Sequence, residues 1–322
     1  MNKQILPFLL LPFWAFNQSF APAAGQPGST AMAKDSSAFV AWATGGTITR
    51  GYQQIDDISL GLADHGTIEM AFGPADGVTT NVVSLGDGGQ ITLTFDRPIV
   101  NGEGNDFAIF ENGLLDTFLE LGFVEVSSDG EHFVRFPSYS ETPTNVQVHS
   151  FGSVDPRNVH NLAGKYRVGF GTPFDLSDLA DSTGIDLNNI THVRIIDVVG
   201  SINPAYASYD SQGRIINELF PTPFASSGFD LNGIGVIHQA ALKTDDLASF
   251  FSIYPNPVQN DLHIASELHG KISISDLNGR IVLETEITAT TSTLQLNELE
   301  SGIYLLEIHS EKGNYQQKIR KI

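Results

Sequence analysis

The chain has no cysteine among its 322 residues, which removes disulfide staples, thiolate metal sites and cysteine nucleophiles together. Basic residues are scarce, 17 Lys and Arg against 37 Asp and Glu, for a formal net charge of −20. Between Gly25 and Leu247 there are ten basic and twenty-eight acidic residues, so nearly all the excess sits there, while the stretch from Ser249 is nearly balanced at six and nine. Such a region repels nucleic acid and anionic lipid and suits calcium or neutral ligands; the plainer reading is that acidity keeps it soluble. Long apolar runs are also lacking. Ile5–Phe16 behind Met1-Asn2-Lys3 is too short to span a bilayer and reads as a secretory signal peptide over 1–21, with cleavage between Ala15 and Ala24. No cysteine near it could carry a lipid anchor.

Catalytic patterns are missing as well. There is no His-Glu-x-x-His, no Gly-x-Ser-x-Gly elbow, no Walker loop and no dinucleotide fingerprint after a strand. Glu111 and Glu125 form a carboxylate pair of the kind a glycosidase needs, but acidic β-proteins offer such pairs by chance. Gly86-Asp87-Gly88-Gly89 reads as a tight turn, since no helix follows it to cradle a phosphate. The expectation is a non-catalytic chain.

What is present is a succession of short β-branched and aromatic runs between Gly, Asp, Asn and Pro. The strand candidates are Ile91–Phe95, Asp106–Glu111, Gly122–Ser128, Phe133–Phe136, Val146–Phe151, Tyr166–Phe170, His192–Gly200 and Phe229–Ile237. Ser128 to Glu131 joins two of them as a hairpin, and Asp175 after Pro173 starts one short helix over Leu176–Ala180. These predict an all-β domain at 22–239, a two-sheet jelly-roll sandwich, then a linker at 240–249 and a small Ig-like β-sandwich at 250–322. In that last part, Pro255 and Pro257 suit an extended approach to an edge strand, and Asn278-Gly279 predicts a two-residue type I′ hairpin.

Three resemblances rest on these residues. Tyr254-Pro255-Asn256-Pro257, Ile274 to Val282 with Asn278-Gly279, Ser301-Gly302-Ile303-Tyr304 and Lys318-Ile319-Arg320-Lys321 resemble the C-terminal sorting domain of type IX secretion cargo in Bacteroidetes-type bacteria. That resemblance implies recognition by the secretion machinery and removal of the tail or its exchange for a surface anchor. Val124 to Gly130, His192 to Asp197 and Gly228 to Leu231 resemble discoidin or carbohydrate-binding jelly rolls. Phe20 to Thr30, Ser84 to Gly89, Asp106 to Asn112, Phe151 to Pro156, Ala163 to Arg167 and Gly171 to Leu176 resemble a Bacteroidetes cell-surface family. Its relatives accompany outer-membrane corrinoid uptake, which implies a corrinoid ligand and an uptake receptor as partner, with a glycan as the second ligand and an adhesin role as the alternative.

Two sets of site residues follow. Asp106, Glu111 and Asp230 flank apolar strands, where an ionised carboxylate needs a partner. Asp230 stands where the resembled jelly rolls hold a structural calcium, so some of the three are expected to bind one; the alternative is that they accept N–H groups or pair with Arg97 or Arg194. Trp42, Tyr52, Tyr139, Tyr206, Tyr209 and Phe224 fall in segments read as loops and offer flat faces for sugars or macrocycles. Three of these lie in the long Ser201–Ser227 loop.

Overall fold

The computed structural model describes residues 20–241, 247–310 and 312–322. The leader reading therefore lies, up to residue 19, outside the described residues, as do 242–246 of the linker. The chain divides into two compact units between Gln239 and Ala240. Both are all-β.

The first unit has two antiparallel sheets. One runs Met32–Ala33, Phe170–Phe174, Phe107–Glu111, Asp230–Val236, Ala41–Trp42, with Val83–Ser84 also paired to Asp230–Val236; the other runs Gly45–Thr49, Gln90–Ile99, Ile190–Asp197, Gly122–Ser127, Val134–Arg135. Along Gln90–Ile99 the side chains alternate, Ile91 and Leu93 buried and Thr92 and Thr94 half-buried on the other face, as the period of a pleated strand requires. Ile91, Leu93, Phe107, Ile109, Val124, Val193, Ile195 and Ile234 meet in one core. Phe107–Glu111 is buried throughout because its other face, Ala108 and Phe110, is covered by Phe39, Trp42 and Ala75. The long strands from 90 onward mostly change sheet from one to the next, so their connections wrap over the ends of the sandwich. That is where the candidate site residues collect.

Several expectations shift in register. The segment Val146–Phe151 is not a strand: the buried Asn217 amide takes its backbone groups instead, accepting from Val148 N at 3.0 Å and donating to Val146 O at 2.8 Å. Tyr166–Phe170 gives way to Phe170–Phe174, since Tyr166 is held apart by its hydroxyl, 2.8 Å from Thr30 Oγ1. The short helix is a 3-10 turn, Leu176–Leu179, capped as expected by Asp175, which accepts from Ser177 N. The 128–131 hairpin forms, with Val126 opposite Val134.

The second unit has a three-stranded sheet, Phe251–Tyr254, Asp261–Ser266 and Thr291–Gln295, and a four-stranded one in the order Ile281–Ile287, Gly270–Ser275, Gly302–Ser310, Gly313–Lys321. Leu262, Ile264, Ile272, Ile274, Leu306, Ile308 and Ile319 form its core, which Leu247 joins. The Asn278-Gly279 turn is longer than a two-residue hairpin. Only Gly279 has positive φ, +81°. Asp276 accepts from Asn278 N and Arg280 N, and the register slips between Ile274 and Ser275. The Asp276 carboxylate stabilises a wider, bulged loop where type I′ would need both residues at positive φ.

Candidate functional site

Strand Phe107–Glu111 carries a carboxylate at each end, and the two ends differ. Asp106 is fully buried; its Oδ1 accepts from Gly102 N at 2.7 Å and faces His238 Nδ1 at 2.8 Å, and its Oδ2 accepts from Leu176 N at 2.7 Å. Five residues of extended chain put Glu111 roughly 17 Å away, so Asp106 cannot share one ion with Glu111 and Asp230. The expected trio is thus a pair plus a separate structural residue.

Glu111 lies opposite Leu231 in the ladder, which brings Asp230 beside it. Glu111 Oε2 accepts from Gly113 N at 2.6 Å and Asp230 Oδ2 from Asn112 Nδ2 at 2.8 Å. Glu111 Oε1 and Asp230 Oδ1 are buried without a partner, and neighbouring Ser84 Oγ is likewise outside hydrogen-bond geometry. Four more buried carboxyls stand close enough to act on this pair or on one another: Asp87, Glu120, Asp197 and Glu218. Asp197 ties loops together, accepting from Phe229 N at 2.8 Å and Gly88 N at 3.0 Å.

Burial, reinforced by the charge of neighbouring carboxylates, pushes Glu111, Glu120, Asp197 and Glu218 well above the usual carboxylate range. Burial likewise raises Asp87 and Asp230 to about 6. Among the described residues no ion pair reaches any of these six. Arg50, which acts on Asp230 through its charge, donates to the carbonyl oxygens of His65, Ser84 and Gly66. Also among the described residues, no three His, Asp or Glu side chains stand together in metal-binding geometry.

A second feature is a surface groove. Tyr139–Ser140 pairs with Val159–His160, setting Tyr139 opposite His160. Phe20, His160 and Tyr139 form a triangular cluster of near-parallel rings, with centroids 4.9 Å (Phe20–His160), 6.0 Å (Tyr139–His160) and 6.4 Å (Phe20–Tyr139) apart and interplanar angles of 7°, 15° and 18°. Phe20 N donates to Arg157 O at 3.1 Å, which anchors Phe20 in the cluster. Arg214 flanks it, 2.8 Å from Asp210 Oδ2 and 3.7 Å from Glu141 Oε1. Against the effect of burial, N–H donors from Ser140, Arg214 and Gln212 hold the Asp210 carboxyl below its ordinary range. Lys165, lowered to about 8 by burial, donates to Val159 O at 2.8 Å. Three hollows of about 580, 230 and 250 Å³ share Glu141 and Arg214, or Phe20 and His160, and so adjoin beside the ring cluster.

Of the expected aromatics, Tyr139 lines this groove. Trp42 packs on Phe39 and Phe110 at 5.2 and 5.5 Å. Tyr52 is partly exposed and bridges Leu62 and Asp87 through its backbone, Tyr206 is half-buried, and Tyr209 bridges Ile215. Phe224 pairs with exposed Phe151, centroids 6.2 Å apart. Phe20, His160 and Arg214 were missed: a lone histidine carries no spacing signal, and Phe20 adjoins the leader. Glu125 lies in the opposite sheet from Glu111 and is paired with Arg135 at 2.8 Å and Arg194 at 3.3 Å.

In the second unit the sorting residues come together across the fold. Asn256, between Pro255 and Pro257, donates to Lys318 O at 2.8 Å and accepts from Arg320 N at 2.9 Å. Gly302 opens the strand that pairs with the last one, and Tyr304 donates its hydroxyl to Glu300 O at 2.9 Å. Residues 252–321 match the family model of the secretion system C-terminal sorting domain. The protein is exported by the type IX route. That carries it across the outer membrane, to the cell surface or the extracellular space.

Among solved structures the chain is similar to PorZ, a surface component of the type IX secretion system of Porphyromonas gingivalis, at 15% identity over 34% of this chain and 19% of that one, with a TM-score of 0.22. It is also similar to a β-glucuronidase of Ruminococcus gnavus, at 13% identity over 73% of this chain and 36% of that one, with a TM-score of 0.22. The chain thus spans well under half the length of either, and at these TM-scores neither likeness bears on function. Compared with curated proteins by sequence, the chain finds no match.

Proposed function

We propose that the first unit is a non-catalytic binding domain, delivered to the cell surface or medium, whose ligand is a glycan seated against the Phe20, His160 and Tyr139 ring cluster. The cluster of three near-parallel rings carries this reading. A flat apolar face beside charged and amide groups, here Arg214, Glu141 and Gln212, suits a sugar's apolar face and hydroxyl rim. A corrinoid, the first ligand that the sequence resemblance implies, is placed second here. The test is the exported protein on a glycan array, with cobalamin followed by visible absorbance. Micromolar glycan retention, weakened about tenfold in Tyr139→Ala by loss of roughly 1.4 kcal/mol of stacking, is expected. Cobalamin uptake without glycan retention would replace the ligand, and glycan cleavage would replace binding with hydrolysis.

A structural calcium belongs to the same proposal, centred on Glu111 and Asp230. The two orphaned oxygens, Glu111 Oε1 and Asp230 Oδ1, support it, because calcium takes hard oxygen donors and completes its shell with backbone carbonyls and water. The ion would neutralise a region where six acids are buried and where, among the described residues, none of them has an ion-pair partner.

A further inference from the structure

The last strand of the sorting unit, Gly313–Lys321, lies at the edge of its sheet, paired on one side with Gly302–Ser310. Among the described residues, its other side is closed at one end only. Asn256 bonds both Lys318 O and Arg320 N, so its side-chain amide stands in for a neighbouring strand's peptide group. Val258 N then donates to Arg320 O at 2.8 Å, and Ile322 N to Val258 O at 2.9 Å. These bonds show that residues 318 and 320 point their backbone groups outward, and the two-residue period gives Asn314 and Gln316 the same direction. Among the described residues, nothing bonds the outward N–H of Asn314 or Gln316.

The same four residues, Asn314, Gln316, Lys318 and Arg320, are exposed, while Tyr315, Ile319 and Lys321 turn inward. From Lys312 to the end there are four basic residues and no acidic one. The opposite edge strand of the same sheet, Ile281–Ile287, carries Glu284 and Glu286 and no basic residue. One edge is thus basic and half-capped, in a chain of net charge −20.

We propose that the open part of this edge is where the secretion machinery docks, by adding a strand that bears acidic side chains. Main-chain bonds to Asn314 and Gln316 would supply affinity, and the basic row from Lys318 to Arg320 would fix orientation. The proposal rests on the type IX export route and is independent of the groove.

The test follows the full chain in a type IX-competent host, reading the exported against the periplasmic fraction. Gln316→Pro removes the outward donor and leaves the inner ladder intact. Lys318→Glu with Arg320→Glu reverses the exposed row. Both are expected to lower the exported fraction about tenfold, while Glu284→Gln with Glu286→Gln on the other edge leaves it unchanged. If Gln316→Pro fails to fold, the doubly charge-reversed protein, altered only at exposed side chains, decides alone. Wild-type export of that folded variant overturns the proposal. So does concentration-dependent self-association that the charge reversal abolishes without any change in export, since the occupant would then be a second copy.

Discussion

The two ends of strand Phe107–Glu111 bury carboxylates for opposite reasons. At one end both Asp106 oxygens meet donors from Gly102, Leu176 and His238. At the other, Glu111 and Asp230 each leave an oxygen unpartnered amid four further acids. A buried carboxylate whose lone pairs are met is part of the scaffold; one left short of donors among like charges needs a proton or a cation. Burial alone does not separate the two kinds of acid; the count of donors does.

The largest effect expected is in the pH dependence of stability at the Glu111 end. Asp87 and Asp230 are raised from 3.8 to about 6. A raised carboxyl means that the native state holds its proton longer than the unfolded one. Its contribution is fully present below pH 4 and is lost as pH rises through 6. Each group accounts for about 3 kcal/mol over that window. In chelator, the midpoint of urea unfolding should therefore rise as pH falls from 7 to 5. Millimolar calcium should flatten or reverse this trend, because the metal requires the ionised form. A chelated protein that loses stability on the same acidification would abolish the distinction between the two ends.

Asp106→Ala comes next. It strands the N–H groups of Gly102 and Leu176, and the loss should be about 3 kcal/mol, whether or not calcium is present. Urea unfolding of the full chain measures it, and a loss under about 1 kcal/mol would mean that water replaces the carboxylate. Glu111→Gln combined with Asp230→Asn has the opposite sign: in chelator it should stabilise by about 1–2 kcal/mol, as neutralising uncompensated buried charge does, and it should remove the calcium response. If it destabilises in chelator, the pair is scaffold like Asp106.

Legibility followed local signal. Gln90–Ile99 and Asp230–Val236 could be read because a run of alternating or apolar β-formers has a period. Met32–Ala33, Ala41–Trp42 and Val83–Ser84 could not, since two residues have no period. Glu111 and Asp230 stood out as charges flanking apolar strands. Asp87 inside a glycine turn, Glu120 before Gly122–Ser127 and Glu218 in the Ser201–Ser227 loop look like surface acids until the wrapped connections bring them inward. The groove joins residues 20, 139, 160 and 214, a relation set by pairing between distant segments and carried by no short motif. The sorting signal was legible because its motifs are local. What stayed hidden there was their union through Asn256, 62 residues from Lys318.

The second unit sharpens the contrast at the smallest scale. Among its described residues no carboxylate is buried, and Lys321 is the buried charge. Its stability should therefore ignore both chelator and the pH 5–7 window, and a separate transition that responds to neither would assign the acid effect to the first unit. Tyr304→Phe calibrates the limit of detection. The hydroxyl donates one bond to Glu300 O from a ring that is otherwise buried, so the change keeps the packing and deletes one neutral hydrogen bond, about 1 kcal/mol. That loss should appear in the second transition alone. A matching shift in the first would show that the units unfold together, and the pH and chelator slopes would then report on the whole chain rather than on the Glu111 end.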